Sequence, residues 1–184
     1  METESNPSCI NILAVVDTEY VKSAYPSPSQ DSDNPTAIRP LGLYTLCSGA
    51  RDVVYHHGVA ELEFAASHGD TLVFRGVSIY NNSDDAIIVY NVKSRRIGRV
   101  FNRYRPVVVT RDGAVQPDPD SADGGIPPVH TRINFSSLNS IVKTTKKEAL
   151  AVSFALYTLA DDGHAQQLFG YYSYVWHLGV TVLD

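Results

Sequence analysis

Hard oxygen ligands crowd two short stretches of this chain, Asp31-Ser32-Asp33-Asn34 and Asp118-Pro119-Asp120-Ser121-Ala122-Asp123. Carboxylates and amide oxygens in such alternation suit Ca²⁺, which takes about 6–8 oxygen ligands. Asp17 and Glu19, in Val16-Asp17-Thr18-Glu19-Tyr20, would add to the shell if the loops converge. The expected metal set is Asp17, Glu19, Asp31, Asp33, Asn34, Asp118, Asp120 and Asp123, although neither loop has the spacing or closing glutamate of an EF-hand. Ca²⁺ is the one cofactor the sequence suggests. The same residues have a plainer use, because acidic turns commonly cap helices or their own backbone.

A second chemistry lies near the end of the chain, where Tyr172, Tyr174 and Trp176 alternate and so share one face of a strand, with Phe169 and Tyr171 opposite. Such a stripe can stack on a sugar ring or on another subunit. Its commoner use is core, with the hydroxyls reaching the rim.

Catalytic patterns are thin. Asp17 and Glu19 have the two carboxylates that glycoside hydrolysis needs, but cap and turn duties account for both. No Gly-x-Ser-x-Gly elbow or phosphate-binding glycine loop occurs. The six histidines lack metal spacing, and the adjacent pair His56-His57 would point to opposite faces of a strand. The chain is expected not to be an enzyme.

A net charge of -5 argues against a protein built to neutralise phosphates. The basic run Lys93, Arg95, Arg96, Arg99, Arg103 and Arg105, interleaved with Phe101 and Tyr104, therefore reads as charge on strand edges or a protein contact. No nucleic-acid partner is expected. No apolar run approaches the roughly 20 residues that span a bilayer, and Met1 to Ser8 lacks the features of a secretory signal, so a cytoplasmic location is expected. Cys9 and Cys47 are expected to be reduced thiols in the core.

Period-two alternation must supply the elements that position these residues. It is cleanest where Leu150, Val152, Phe154 and Leu156 share a face opposite Ala149, Ala151, Ser153 and Ala155. Similar runs fall at 10–16, 43–47, 60–66, 71–80, 86–92, 107–110, 131–135 and 167–176, between clusters of Gly, Asn, Asp and Pro. Asn81-Asn82-Ser83-Asp84-Asp85, Asp161-Asp162-Gly163 and especially Arg111-Asp112-Gly113 have hairpin chemistry. The expected fold is all-β: one antiparallel β-sandwich domain over residues 1–184, with about 8–10 strands and little helix. A short helix is expected from Thr18 to Ala24, a long loop over 117–128 and a flexible terminus over 1–8.

Residues 16–20, Ser29-Gln30-Asp31, Asn34-Pro35-Thr36, Gly69-Asp70 before a strand ending in Ser78, Ala86-Ile87-Ile88-Val89-Tyr90 and Leu168-Phe169-Gly170-Tyr171-Tyr172 occur in a fixed order along nearly the whole chain. In these the sequence resembles the PixA/AidA family of bacterial inclusion-body proteins. The resemblance implies a β-sandwich without a settled biochemical activity, held in intracellular inclusions in some members and linked to quorum sensing or host interaction. The functional expectation is a non-enzymatic, self-associating protein, a homodimer or larger. The alternative is a module for a carbohydrate or similar small ligand, assisted by calcium.

Overall fold

The computed structural model describes residues 7–55, 61–95, 100–144 and 146–181. Strand β1 (Cys9–Val16) runs into helix α1 (Thr18–Ala24), and β2 (Thr36–Ala37), β3 (Leu43–Ser48), β4 (Arg51–Tyr55), β5 (Glu61–Ala65) and β6 (Thr71–Ser78) follow. The second half consists of β7 (Ala86–Ser94), β8 (Arg105–Gln116), β9 (Val129–Ile141), β10 (Lys147–Leu159) and β11 (Gln166–Thr181). One sheet has the order β3-β1-β6-β9-β8 and the other β4-β5-β11-β10-β7, with β2 beside β11.

The all-β sandwich stands, but its sheets are mixed and not antiparallel throughout. β1 pairs parallel with β6, and β11 pairs parallel with both β5 and β2. Turn chemistry reports only strands joined by tight loops, so pairings between strands far apart in sequence leave no local trace. β2 and β4 have no counterpart among the alternating runs, β2 because two residues cannot show a period.

Alternation places the core as the sequence requires. Ile10, Ile12, Ala14 and Val16 of β1 are buried against Leu150, Val152, Phe154 and Leu156 of β10 and the aromatics of β11. Phe74 of β6 meets Trp176 of β11 edge to face, with ring centroids 5.4 Å apart, so the two sheets interlock through that pair.

Two turn readings separate here. Asn81 and Asn82 adopt φ of 55° and 61°, and Asn82 Oδ1 accepts from the amides of Ser78 (2.9 Å) and Ile87 (3.1 Å). The tight turn forms, but β6 and β7 lie in different sheets, so it carries the chain from one sheet to the other and is not the expected hairpin. Arg111-Asp112-Gly113 is instead inside β8, where Arg111 faces Ile133 and Ala114 faces Thr131, so β8 holds one residue more than its partner. The small, flexible residues serve a β-bulge rather than a hairpin. The real β8–β9 connection is the 117–128 loop, closed by Asp118 N–H donating to Gly125 O at 3.1 Å. Gly125 has φ of 92°, and a Cβ there would lie 2.7 Å from Cβ of Pro117.

The proline-rich stretch after α1 straps the free edge of β11. Tyr171 N–H donates to Ser29 O and Ile38 N–H to Ser173 O, while Tyr90 OH reaches Ser32 O. An otherwise open edge is thereby paired. Within the terminus expected to be flexible, residues 1–6 lie outside the described residues, whereas Ser8 N–H donates to Asp70 Oδ1 at 2.8 Å and is tied down.

Candidate functional site

The expected metal set is scattered, and several of its oxygens already serve the fold. Asp17 is the N-cap of α1, its Oδ1 accepting from Tyr20 N–H at 3.0 Å. Glu19 pairs with Lys22 at 2.8 Å, and Lys22 in turn meets Asp85 at 2.7 Å. Asp31 accepts from Asp33 N–H and from the Asn34 side-chain amide, and these bonds hold its carboxyl below the usual carboxylate range. Asp118 accepts from Asp120 N–H, and Asp123 N–H donates to Ser121 Oγ. Among the described residues no three His, Cys, Asp or Glu side chains gather as a metal site would require. The Asp31 turn belongs to the β11 strap and the Asp118 turn to the tip of the β8–β9 hairpin, and nothing brings their oxygens together.

Asp17→Ala is expected to lower the unfolding free energy by about 1 kcal/mol, measured by urea denaturation, as for other helix caps.

Tyr172, Tyr174 and Trp176 are 0%, 5% and 1% exposed, so the stripe is core and offers no platform to a sugar or a second subunit. Phe154 stacks on Tyr172 at 5.6 Å, and Tyr172 OH donates to Tyr25 O at 2.9 Å. Burial pushes Tyr172 up from an ordinary value of 10.0 to about 12 and moves Tyr174 in the same direction. The fold thus holds both phenols neutral while the unfolded chain ionises them near pH 10, so their contribution is complete below about pH 10 and is lost as pH rises toward 12. The urea midpoint is expected to fall across that window, and Tyr172→Phe to make the fall shallower.

The cysteines and histidines also differ from expectation or fall elsewhere. Cys9 is exposed at the start of β1, while Cys47 is half-buried and its thiol is pushed up to about 11 by burial. Neither forms a disulfide. His56 and His57, with Arg96 and Arg99 of the basic run, lie outside the described residues. Lys93 and Arg105 are on β7 and β8, the outermost strands of their sheets.

The surface without an evident partner is the outer face of the β3-β1-β6-β9-β8 sheet. Register fixes its members: Tyr44 and Leu46 of β3 lie beside Val15 and Leu13 of β1, which lie beside Val77 and Arg75 of β6. Phe135 of β9 sits opposite Val109 of β8, and Ile133 opposite Arg111. Leu46 is 59% exposed, Tyr44 51% and Phe135 48%. β9 pairs with β6 only from Leu138 to Ile141, so the rest of the β8–β9 hairpin continues as a two-stranded ribbon. A hairpin of that kind is marginal in water unless something covers it. Arg75, Val109 and Phe135 border one hollow of about 480 Å³, where the ribbon stands beside β6. Arg75, Arg105 and Arg111 give the face a positive cast, and no carboxylate stands among these strand positions.

Sequence reading passed over this face because alternation marks which residues point inward and is silent on whether the other side is covered. The available signal was Leu13, Val15, Tyr44, Leu46, Val109 and Phe135, apolar at positions where a solvated sheet carries polar side chains.

The geometry is that of a mixed two-sheet sandwich with exposed apolar side chains on the outer face of one sheet. The PixA inclusion body protein family matches residues 8–182, and the chain belongs to that family. It is similar to the inclusion body protein of Burkholderia cenocepacia J2315 in its crystal structure, at 32% identity and a TM-score of 0.81, over 98% of this chain and 100% of that one. No curated protein matches the chain. The family name describes an inclusion body protein and carries no reaction. Among the described residues no helix is long and apolar enough to cross a membrane.

Proposed function

We propose that this chain is a non-enzymatic, self-associating protein of cytoplasmic inclusions, and that copies meet through the outer face of the β3-β1-β6-β9-β8 sheet. The observation that carries the reading is the exposed apolar set Tyr44, Leu46 and Phe135 on one continuous sheet face. Exposed patches of this kind on a soluble protein mark association surfaces. The occupant is a second copy, because an inclusion is built of many copies of its own protein.

Charge selects the kind of contact. A face bearing Arg75, Arg105 and Arg111 repels its own image, but complements the rest of a chain whose net charge is -5. Contact between unlike patches does not close after two subunits, and where its rotation does not close a ring it builds open arrays of the kind an inclusion requires. Light scattering across concentration is expected to show mass rising beyond a dimer, and rising less at high salt, where charge complementarity is screened. A strictly monomeric result at every concentration would end the proposal. The resemblance ties such assembly to quorum-sensing or host-interaction physiology, for which accumulation with cell density is the measurement.

A further inference from the structure

At one end of the sandwich, Val92 and Ser94 of β7, Glu148 and Leu150 of β10, and Phe101 and Tyr104 border a cavity of about 410 Å³. Its segment is firmly held, with Asn102 N–H donating to Ile141 O and Lys143 N–H to Val100 O. Glu148 stands in phase with Leu150 and Val152, so a carboxylate points to the core side of β10 and is only 5% exposed. Its Oε2 accepts from Val100 N–H at 3.0 Å, while its Oε1 has no hydrogen-bond partner. The buried hydroxyl of Tyr104, on the same cavity, also has none. Burial, then the charge of Glu148, raises the Tyr104 phenol well above its usual range, so that hydroxyl stays neutral.

A buried carboxylate oxygen without a partner is expensive, and such groups in folded proteins ordinarily find one. Two orphaned polar atoms beside an aromatic ring, around a hollow large enough for a small molecule, fit an organic cation. We propose that this cavity binds a small molecule bearing one amine, amidine or guanidinium group, which donates to Glu148 Oε1 and to the Tyr104 hydroxyl. Exposed Lys93 and Arg103 on the same cavity disfavour a second positive charge, so the remainder of the ligand is neutral or anionic. The site is remote in role from self-association and stands or falls separately from it.

Benzamidine is a suitable probe, being a flat monocation whose amidine matches a carboxylate, with benzyl alcohol as its uncharged control. Calorimetry and amide NMR on the full chain are expected to show one benzamidine bound, the Val100 amide shifting, and no response to benzyl alcohol. Glu148→Gln can keep an oxygen for Val100 N–H and is expected to weaken binding by at least about tenfold, the loss of one charge-assisted hydrogen bond. Tyr104→Phe, which leaves Glu148 intact, is expected to weaken it less. Absence of benzamidine binding, shifts that avoid Val100, or equal affinity in folded Glu148→Gln would each overturn the assignment.

Discussion

Replacing Leu46 and Phe135 together by glutamate is expected to leave the protein monomeric at concentrations where the wild type forms larger species, with fold stability changed by less than about 0.5 kcal/mol per site. Both side chains are about half exposed and outside the core, so their loss removes little that folding uses. Association is another matter. The two sites lie on β3 and β9, on either side of β1 and β6, so one substitution cannot be bypassed by shifting the contact along the sheet. Each glutamate would have to be stripped of water in the contact without a dedicated partner, at a cost of several kcal/mol. They also offset two of the three arginine charges of the face and set carboxylates against the acidic remainder of the neighbouring copy. Ile88→Glu provides the control, since Ile88 is 54% exposed on β7 of the other sheet. Sedimentation velocity should return monomers for the double variant and wild-type species for Ile88→Glu. Unchanged assembly in the double variant would show that copies meet elsewhere.

The core strands were legible because alternation is a local property. β1 buries every second residue, Leu150, Val152, Phe154 and Leu156 of β10 and Tyr172, Tyr174 and Trp176 of β11 keep the same period in the core, and α1 announces itself through Asp17 followed by Thr18, Glu19 and Tyr20. The bulge at Arg111 to Ala114 was not legible, because Asp-Gly serves a hairpin and a bulge equally well and only the length of β9 opposite decides. The parallel pairing of β1 with β6 was hidden for a related reason, since partners such as Cys9 and Thr71 are 62 residues apart and no turn joins them.

Sites were harder than strands. Acidic loops look alike in sequence whether their oxygens converge on a cation or fold back on their own amides, as Asp31 and Asp118 do. Glu148 carried a signal that alternation alone could have raised, because it falls two residues before Leu150 in the core phase. A charge in that phase asks where its partner is, a question the sequence poses and only the cavity answers.

Trp176→Ala is expected to cost about 3–5 kcal/mol, the range for removing a large buried aromatic, and so to approach or exceed the margin that keeps many domains folded. The indole is 1% exposed and is one side of the edge-to-face pair with Phe74, a contact from one sheet to the other. Its removal opens a void beside Phe74 that neighbouring strands cannot fill without leaving their register. Trp176→Phe separates packing from hydrogen bonding, because Trp176 Nε1 is buried without an acceptor and contributes no bond to lose. The phenylalanine variant gives up volume but also removes an orphaned donor, so its cost is expected to stay near 1 kcal/mol. The chain has a single tryptophan, so both variants are followed by circular dichroism in urea rather than by indole fluorescence. If Trp176→Phe proves as damaging as Trp176→Ala, the indole is held by something other than its contact with Phe74. If it is mild, the stripe of Tyr172, Tyr174 and Trp176 serves as the packing seam between the sheets.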